Sequence, residues 1–279
     1  MSRSRVVVAL VLSAGLFIGC DDDGGPSLAL ADLVGSWIAD EFEFTNQENP
    51  IESVDFIAAG LDVTMTISAN GRYTIGAADP LGSGADFIKG ALLVEEGFLL
   101  VTDDDEPGET IAFSVQLSGD GLTIFTDEVD YDFDVPPDGI DEPADLRAVF
   151  QLATGTTVAD LVGTWEATEF RFVSSPTPTD TIDVIDLGGG LSVTLVADGR
   201  YDMTIELPGE LPDDQSGVAL VVGDIIVMID EVAPEGSIRF EYGLAGETIT
   251  LRGEDSIDFD DPPDGTNEAA VVEMVLERK

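Results

Sequence analysis

The chain carries one message twice. Ala31-Asp32-Leu33-Val34-Gly35-Ser36-Trp37 returns as Ala159-Asp160-Leu161-Val162-Gly163-Thr164-Trp165. Ala69-Asn70-Gly71-Arg72-Tyr73 returns as Ala197-Asp198-Gly199-Arg200-Tyr201, and the segment from Asp132 to Gly139 returns as Asp258 to Gly265. Three matches in the same order along 279 residues mean two copies of one domain, each large enough to bury its own core. The division predicted is a leader over 1–19, a tether over 20–30, a first domain over 31–153, a link over 154–158 and a second domain over 159–279.

Within each copy the apolar residues recur with period two. Val63, Met65 and Ile67 alternate with polar neighbours, as do Ile111, Phe113, Val115 and Leu117. Ile238, Phe240 and Tyr242 repeat the pattern in the second copy. One buried and one wet face is the antiparallel habit. Asn70-Gly71 and Asp198-Gly199 predict type I′ hairpins, and Glu96-Gly97, Gly119-Asp120-Gly121, Gly223-Asp224 and Ala245-Gly246 supply further turns. Eight strands follow for the first copy, over 35–45, 61–68, 72–76, 87–94, 97–102, 110–117, 121–126 and 145–152. The second copy reads 163–173, 190–196, 200–206, 217–222, 224–230, 236–243, 246–252 and 269–277. No segment carries a long helical period. The expected class is all-β, with two tandem eight-stranded antiparallel up-and-down barrels, closed so that no long edge is left. Trp37 and the pair Phe42/Phe44 differ in parity, as do Trp165 and Phe170/Phe172. A bulge between them would turn all three inward.

Composition narrows function by exclusion. There is no histidine, which removes Ser-His and Cys-His pairs and every imidazole metal site. The single cysteine, Cys20, allows neither an intrachain disulfide nor a thiolate cluster. Asp and Glu number 57 against 11 Lys and Arg, a formal net charge of −46. Such a surface repels nucleic acid, which is not an expected partner. The acids are spread over both copies, so adaptation to salty surroundings is preferred to binding of divalent cations. No nucleophile elbow, phosphate-cradling glycine loop or zinc signature is present, and the chain reads as non-enzymatic, with no required cofactor.

The N-terminus is an address. Arg3 and Arg5 precede the apolar run Val6–Leu12, and Phe17-Ile18-Gly19-Cys20 follows. A basic start and a short apolar run read as a secretory signal, too short for a comfortable membrane span. The last four residues resemble a bacterial lipobox. That resemblance makes Cys20 the lipidated first residue of the mature protein, held to a membrane by its acyl chains. The expected location is the bacterial cell envelope, facing the periplasm or the exterior, with the leaflet left open.

Gly35-Ser36-Trp37 and Gly163-Thr164-Trp165, each opening an eight-strand run, resemble the Gly-x-Trp signature of lipocalins, and more closely the short lipocalin-like domains of bacterial envelope lipoproteins. The resemblance covers both copies nearly end to end. It implies a Trp packed against an arginine of the last strand. Arg278 stands at that place in the second copy and Leu152 in the first. It also implies an apolar pocket for a small ligand.

Two sets of residues could carry such a function. Trp37, Phe42, Phe44, Tyr73 and Phe113, with their counterparts Trp165, Phe170, Phe172, Tyr201 and Phe240, would line or fill the barrels. Strands this short favour filling over an open pocket. Asp132, Asp134, Asp138 and Glu142, repeated as Asp258, Asp260, Asp264 and Glu268, have the oxygen-rich composition that Ca²⁺ takes, without EF-hand spacing. A solvated acidic loop before the last strand is the simpler reading. The function expected is a membrane-anchored envelope lipoprotein binding a small apolar ligand. The alternative is a non-catalytic structural or protein-interaction module, stabilised by Ca²⁺ if those loops hold it.

Overall fold

The computed structural model of the chain describes residues 28–79, 85–134, 138–209, 211–233, 237–257, 259 and 266–279. The leader, Cys20 and most of the tether lie outside them, as do Asp258, Asp260 and Asp264. No described helix is long and apolar enough to cross a membrane.

The described chain is almost entirely strand. The first copy opens on a one-turn helix, α1 (Leu30–Leu33), followed by β1 (Gly35–Asn46), β2 (Ser53–Asp55), β3 (Asp62–Ile67), β4 (Arg72–Ala78), β5 (Ala85–Glu95), β6 (Phe98–Asp103), β7 (Ile111–Ser118), β8 (Gly121–Tyr131) and β9 (Glu142–Leu152). The second copy repeats the order as α2 (Val158–Leu161), β10 (Gly163–Ser174), β11 (Thr181–Asp183), β12 (Gly190–Leu195), β13 (Arg200–Glu206), β14 (Asp213–Val222), β15 (Ile225–Asp230), β16 (Ile238–Ala245), β17 (Thr248–Ile257) and β18 (Glu268–Arg278). Each run meanders from neighbour to neighbour, and the first strand also pairs with the last, β1 with β9 and β10 with β18. Each sheet therefore closes into an eight-stranded antiparallel barrel.

The ninth strands, β2 and β11, are three residues long and hang on the far ends of β1 and β10. They and the two helices were not expected from the periodicity, being too short to display one. The Asn70-Gly71 and Asp198-Gly199 turns also differ from expectation. Only the glycine takes a left-handed backbone (Gly71 φ 78°, Gly199 φ 87°), and Gly71 N–H donates to Ser68 O while Ser68 N–H donates to Arg72 O. That is a type I turn closed by a glycine bulge rather than a type I′ turn. Asn70 stays in ordinary backbone because its Oδ1 is engaged locally, accepting from Ser68 Oγ and the Arg72 N–H. A two-residue turn with both central residues left-handed does occur, at Glu96-Gly97 (φ 51° and 85°).

The bulge inferred from aromatic parity is present in both copies. Pairing of β1 with β9 shifts register between Ala39 and Glu41, and pairing of β10 with β18 shifts between Ala167 and Glu169. The extra residue brings Trp37, Phe42 and Phe44 all inside, and likewise Trp165, Phe170 and Phe172.

The chain divides into two compact units, one running up to Tyr73 and including Ile88–Leu152, the other comprising Thr74–Phe87 and Ala153–Lys279. The second unit holds two apolar clusters. The larger fills the barrel interior, with Trp165, Phe170, Phe172, Tyr201, Phe240 and Met274 among its members. The smaller joins Ala78, Val218, Leu220, Val227 and Ile229, with Ala85, Phe87 and Ile225 packed against it.

Candidate functional site

The duplicated Ala-Asp-Leu-Val-Gly-x-Trp segment builds the same device at one end of each barrel. Asp32 Oδ2 accepts the Ala29 N–H at 2.9 Å, and Asp160 Oδ2 accepts the Thr157 N–H at 2.8 Å, so each one-turn helix caps its own start. Leu33 and Leu161 are buried, and the carbonyls of these two leucines accept the indole N–H of Trp37 and Trp165 at 2.9 and 2.8 Å. The indole is thus buried with its one donor satisfied. Gly35 and Gly163 sit at φ 151° and 141°, where a side chain is strained. A Cβ there would also lie 3.0 Å from Leu152 Cδ1 or 2.9 Å from Arg278 Nη1.

Arg278 occupies the place implied by the family resemblance. Its guanidinium carbon stands 4.3 Å from the centre of the Trp165 ring. Its Nη2 donates to Asp160 O at 2.8 Å and its Nη1 donates to Val162 O. Leu152 is the partner of Trp37 in the same register position of the first barrel. One barrel closes this end with a stacked cation and the other with an aliphatic side chain.

All ten aromatic residues expected to line or fill the barrels are buried. In the first barrel they continue into a chain of ring contacts at the end away from α1. Phe42 lies 5.7 Å from Phe44 and 5.5 Å from Phe56, and Phe44 stacks on Tyr131 at 4.5 Å and 19°. Tyr131 in turn meets Phe133 edge-on at 5.0 Å. Phe56, Tyr131 and Phe133 are only half-buried, so rings reach the rim. In the second copy Val184 and Ile257 stand where Phe56 and Tyr131 stand in the first, and Phe170 and Phe172 meet as rings at 5.3 Å. Phe56 and Tyr131 were not among the expected site residues. They lie outside the regular alternation, one in a turn and the other past the β8 register shift between Thr126 and Val129.

The tyrosines share a geometry. Gly90 and Gly217 lie so close to the next strand that a Cβ would fall 2.0 and 1.9 Å from the carbonyl oxygens of Thr102 and Ile229, with the Tyr73 or Tyr201 ring alongside. Burial holds both phenols well above their ordinary range, helped by Asp103 and Asp104 at Tyr73 and by Asp230 at Tyr201. Both stay neutral at any physiological pH.

The acidic segment before β9 brings three of its four expected ligands together. Oxygens of Asp132, Asp134 and Asp138 lie within 4.8 Å of one another. Asp132 is buried, and its Oδ1 and Oδ2 accept the N–H groups of Asp134 at 3.0 Å and Gly139 at 2.7 Å. Glu142 is turned to a different task, its Oε2 accepting the Phe133 N–H at 3.2 Å. Glu268 does the same for Phe259 at 3.1 Å. The two glutamates tie each loop to its barrel. The three aspartates fit a hard cation by donor type, while the backbone hydrogen bonds already occupy both Asp132 oxygens.

Arg72 and Arg200 pair with nearby acids, as expected of cations in an acidic chain. Arg72 Nη1 donates to Asp104 Oδ1 at 2.8 Å, and Arg200 Nε donates to Asp198 Oδ2 at 2.9 Å. On the outside of the second barrel a groove of about 480 Å³ is lined by Glu169, Arg171, Glu241, Tyr242, Arg252 and Glu273, among others. Its arginines are matched to its acids, Arg171 to Glu169 and Arg252 to Glu273.

No family model matches the sequence, and the search of curated proteins found no match. Among solved structures, the chain is similar to a protein of unknown function from the DUF3598 family of Nostoc punctiforme PCC 73102, at 12% identity and a TM-score of 0.26, covering 90% of this chain and 97% of that one. A likeness of that size assigns no function.

Proposed function

We propose that this chain is a lipid-anchored, non-catalytic envelope module whose two lipocalin-like barrels act through their outer surfaces. The observation that carries the reading is the burial of the inward aromatic residues of both barrels, with ring against ring in the first and a continuous apolar cluster in the second. Side chains take up the space that a ligand would need. The absence of histidine supports the non-catalytic part, and the lipobox-like segment ending at Cys20 supports the anchor. Binding of a small apolar ligand is the second reading. It is favoured by the half-buried rings Phe56, Tyr131 and Phe133 at the rim of the first barrel.

Titration of the purified chain with a polarity-sensitive apolar dye separates the two. The module reading expects no saturable fluorescence rise and no displacement by a lipid extract. A saturable rise lost in Phe44→Asp, with the second barrel still folded, would establish the ligand reading instead. The anchor is tested by metabolic labelling with palmitate, which should be incorporated in the native chain and lost in Cys20→Ser.

A further inference from the structure

The two copies differ on one outer face, and the second copy displays what belongs there. Strands β14 and β15 pair Val218 with Ile229 and Leu220 with Val227. Strands β5 and β6 pair Ala91 with Thr102 and Leu93 with Leu100 in the same register. These are outward positions, since Leu92 and Leu99, or Ala219 and Ile226, alternate with them as buried interior residues. On the second barrel the outward residues are nonetheless covered: Val218, Leu220, Val227 and Ile229 are 0, 4, 3 and 0% exposed. Their cover, within the same compact unit, is made by the end of β4 up to Ala78 and the start of β5 from Ala85 to Phe87. Gly76 lies flat against Leu220, where a Cβ would fall 2.5 Å from Leu220 Cδ2, while Ala78, Ala85 and Phe87 complete the contact.

In the first copy no described residue covers the matching face. Leu93 is 66% and Phe98 45% exposed, and Leu100 is half-buried beside them. The row extends through Ser114, paired with Phe98, to Phe125, which is also exposed. The sequence of both strands is nearly continuous in apolar residues, Ala91-Leu92-Leu93-Val94 and Phe98-Leu99-Leu100-Val101. That is the composition of strands buried on both faces, not of strands with one wet face. A contiguous apolar patch on a chain of net charge −46 marks a contact surface.

We infer that the outer face of β5–β6 binds a β-strand pair of another polypeptide, one that presents small residues and an aromatic as Thr74–Phe87 does. This inference rests on the outer-surface reading above and names its partner chemistry. The chain's own matching strand pair does not fit. In β13 and β14, Thr204, Glu206 and Asp214 stand where Gly76, Ala78 and Phe87 stand, and Thr204 Oγ1 donates to Asp214 Oδ1 at 2.7 Å. Docking that pair on Leu93 and Phe98 would bury carboxylates against hydrocarbon. A second copy of the chain is disfavoured on different grounds, because its Gly76, Ala78 and Phe87 already pack with its own Leu220 cluster.

The probe is a head-to-tail cyclised peptide of residues 72–89, fluorescently labelled and titrated with the full chain. The expected result is saturable one-to-one binding, weakened at least about tenfold by Leu93→Asp or Phe98→Asp, a loss of about 1.4 kcal/mol. Leu187→Asp, at an exposed leucine elsewhere, should bind the peptide as the native chain does. Both strand variants place a charge at an exposed position, and an unchanged melting temperature confirms that they fold. No saturable binding up to about 1 mM, where the free energy falls to about 4 kcal/mol, overturns the inference, as does binding indifferent to both variants. Self-association abolished by Leu93→Asp would overturn it in favour of a second copy, and vesicle binding abolished by the same change in favour of a lipid surface. None of these results depends on the dye titration, so this inference and the module reading can fail separately.

Discussion

Trp165 and Arg278 show how one side chain can be worth more in one copy than in the other. Replacing Arg278 by leucine reproduces the Leu152 arrangement of the first barrel, so the fold should survive. The change removes a cation stacked on a buried indole and two hydrogen bonds to the carbonyls at the end of α2. The expected cost is about 1–3 kcal/mol, read as a lower urea midpoint for the second barrel alone. An unchanged midpoint would mean that water serves those carbonyls equally well. The Trp positions were legible in the sequence because the repeat marks them, and Arg278 only as what the resemblance to lipocalins implied. Phe56 and Tyr131 were not, because a turn and a bulge carry them out of the period that identifies inward residues.

Strand β1 depends on one extra residue. Deleting Asp40, which lies in the register shift, should send Phe42 and Phe44 to the outer face while Trp37 stays inside. The first barrel is then expected to lose its cooperative unfolding transition, and the second to keep its own, in a two-probe denaturation experiment. Retention of both transitions would show that the pairing can slide to compensate. The acidic loop before β9 poses a different question. If its three aspartates hold Ca²⁺ specifically, Ca²⁺ should raise the melting temperature more than matched Mg²⁺, and Asp134→Asn should erase the difference. Equal shifts from the two ions would assign the effect to screening. The strands themselves were read from alternation to within five residues at either end, with β8 and β17 running furthest past the expected bounds. What alternation missed were the three-residue strands and the one-turn helices, which are too short for any period to be counted.

The acidity of the chain governs its stability as a whole. Asp103 and Asp130 are held above the ordinary carboxylate range, first by burial and then by acids beside them, Asp105 and Asp104 in one case and Asp141 in the other. A raised pKa means the folded state binds those protons more tightly than the unfolded chain does. Their contribution is therefore fully present below the ordinary aspartate value of about 4 and is lost as pH rises through the raised values. Repulsion among 57 acidic residues acts with the same sign. The melting temperature should rise as pH is lowered from about 7 to about 5, and at fixed pH 7 it should rise with NaCl as the Debye length shortens. A fall on acidification over that window would show that ion pairs such as Arg200–Asp198, rather than repulsion, dominate.

Duplication, period-two alternation and the parity of three aromatic residues were enough to determine the all-β class, the strand count of each barrel and the bulge in its first strand. These are local regularities, and strand geometry reads them directly. What needed the folded chain was which outward faces are covered. Leu93 and Leu220 sit in equivalent strands of similar composition, yet one is open to solvent and the other buried. The difference comes from a strand pair more than a hundred residues before Leu220 in the sequence. Long-range packing of that kind leaves no period in the chain, and it is where the copies part.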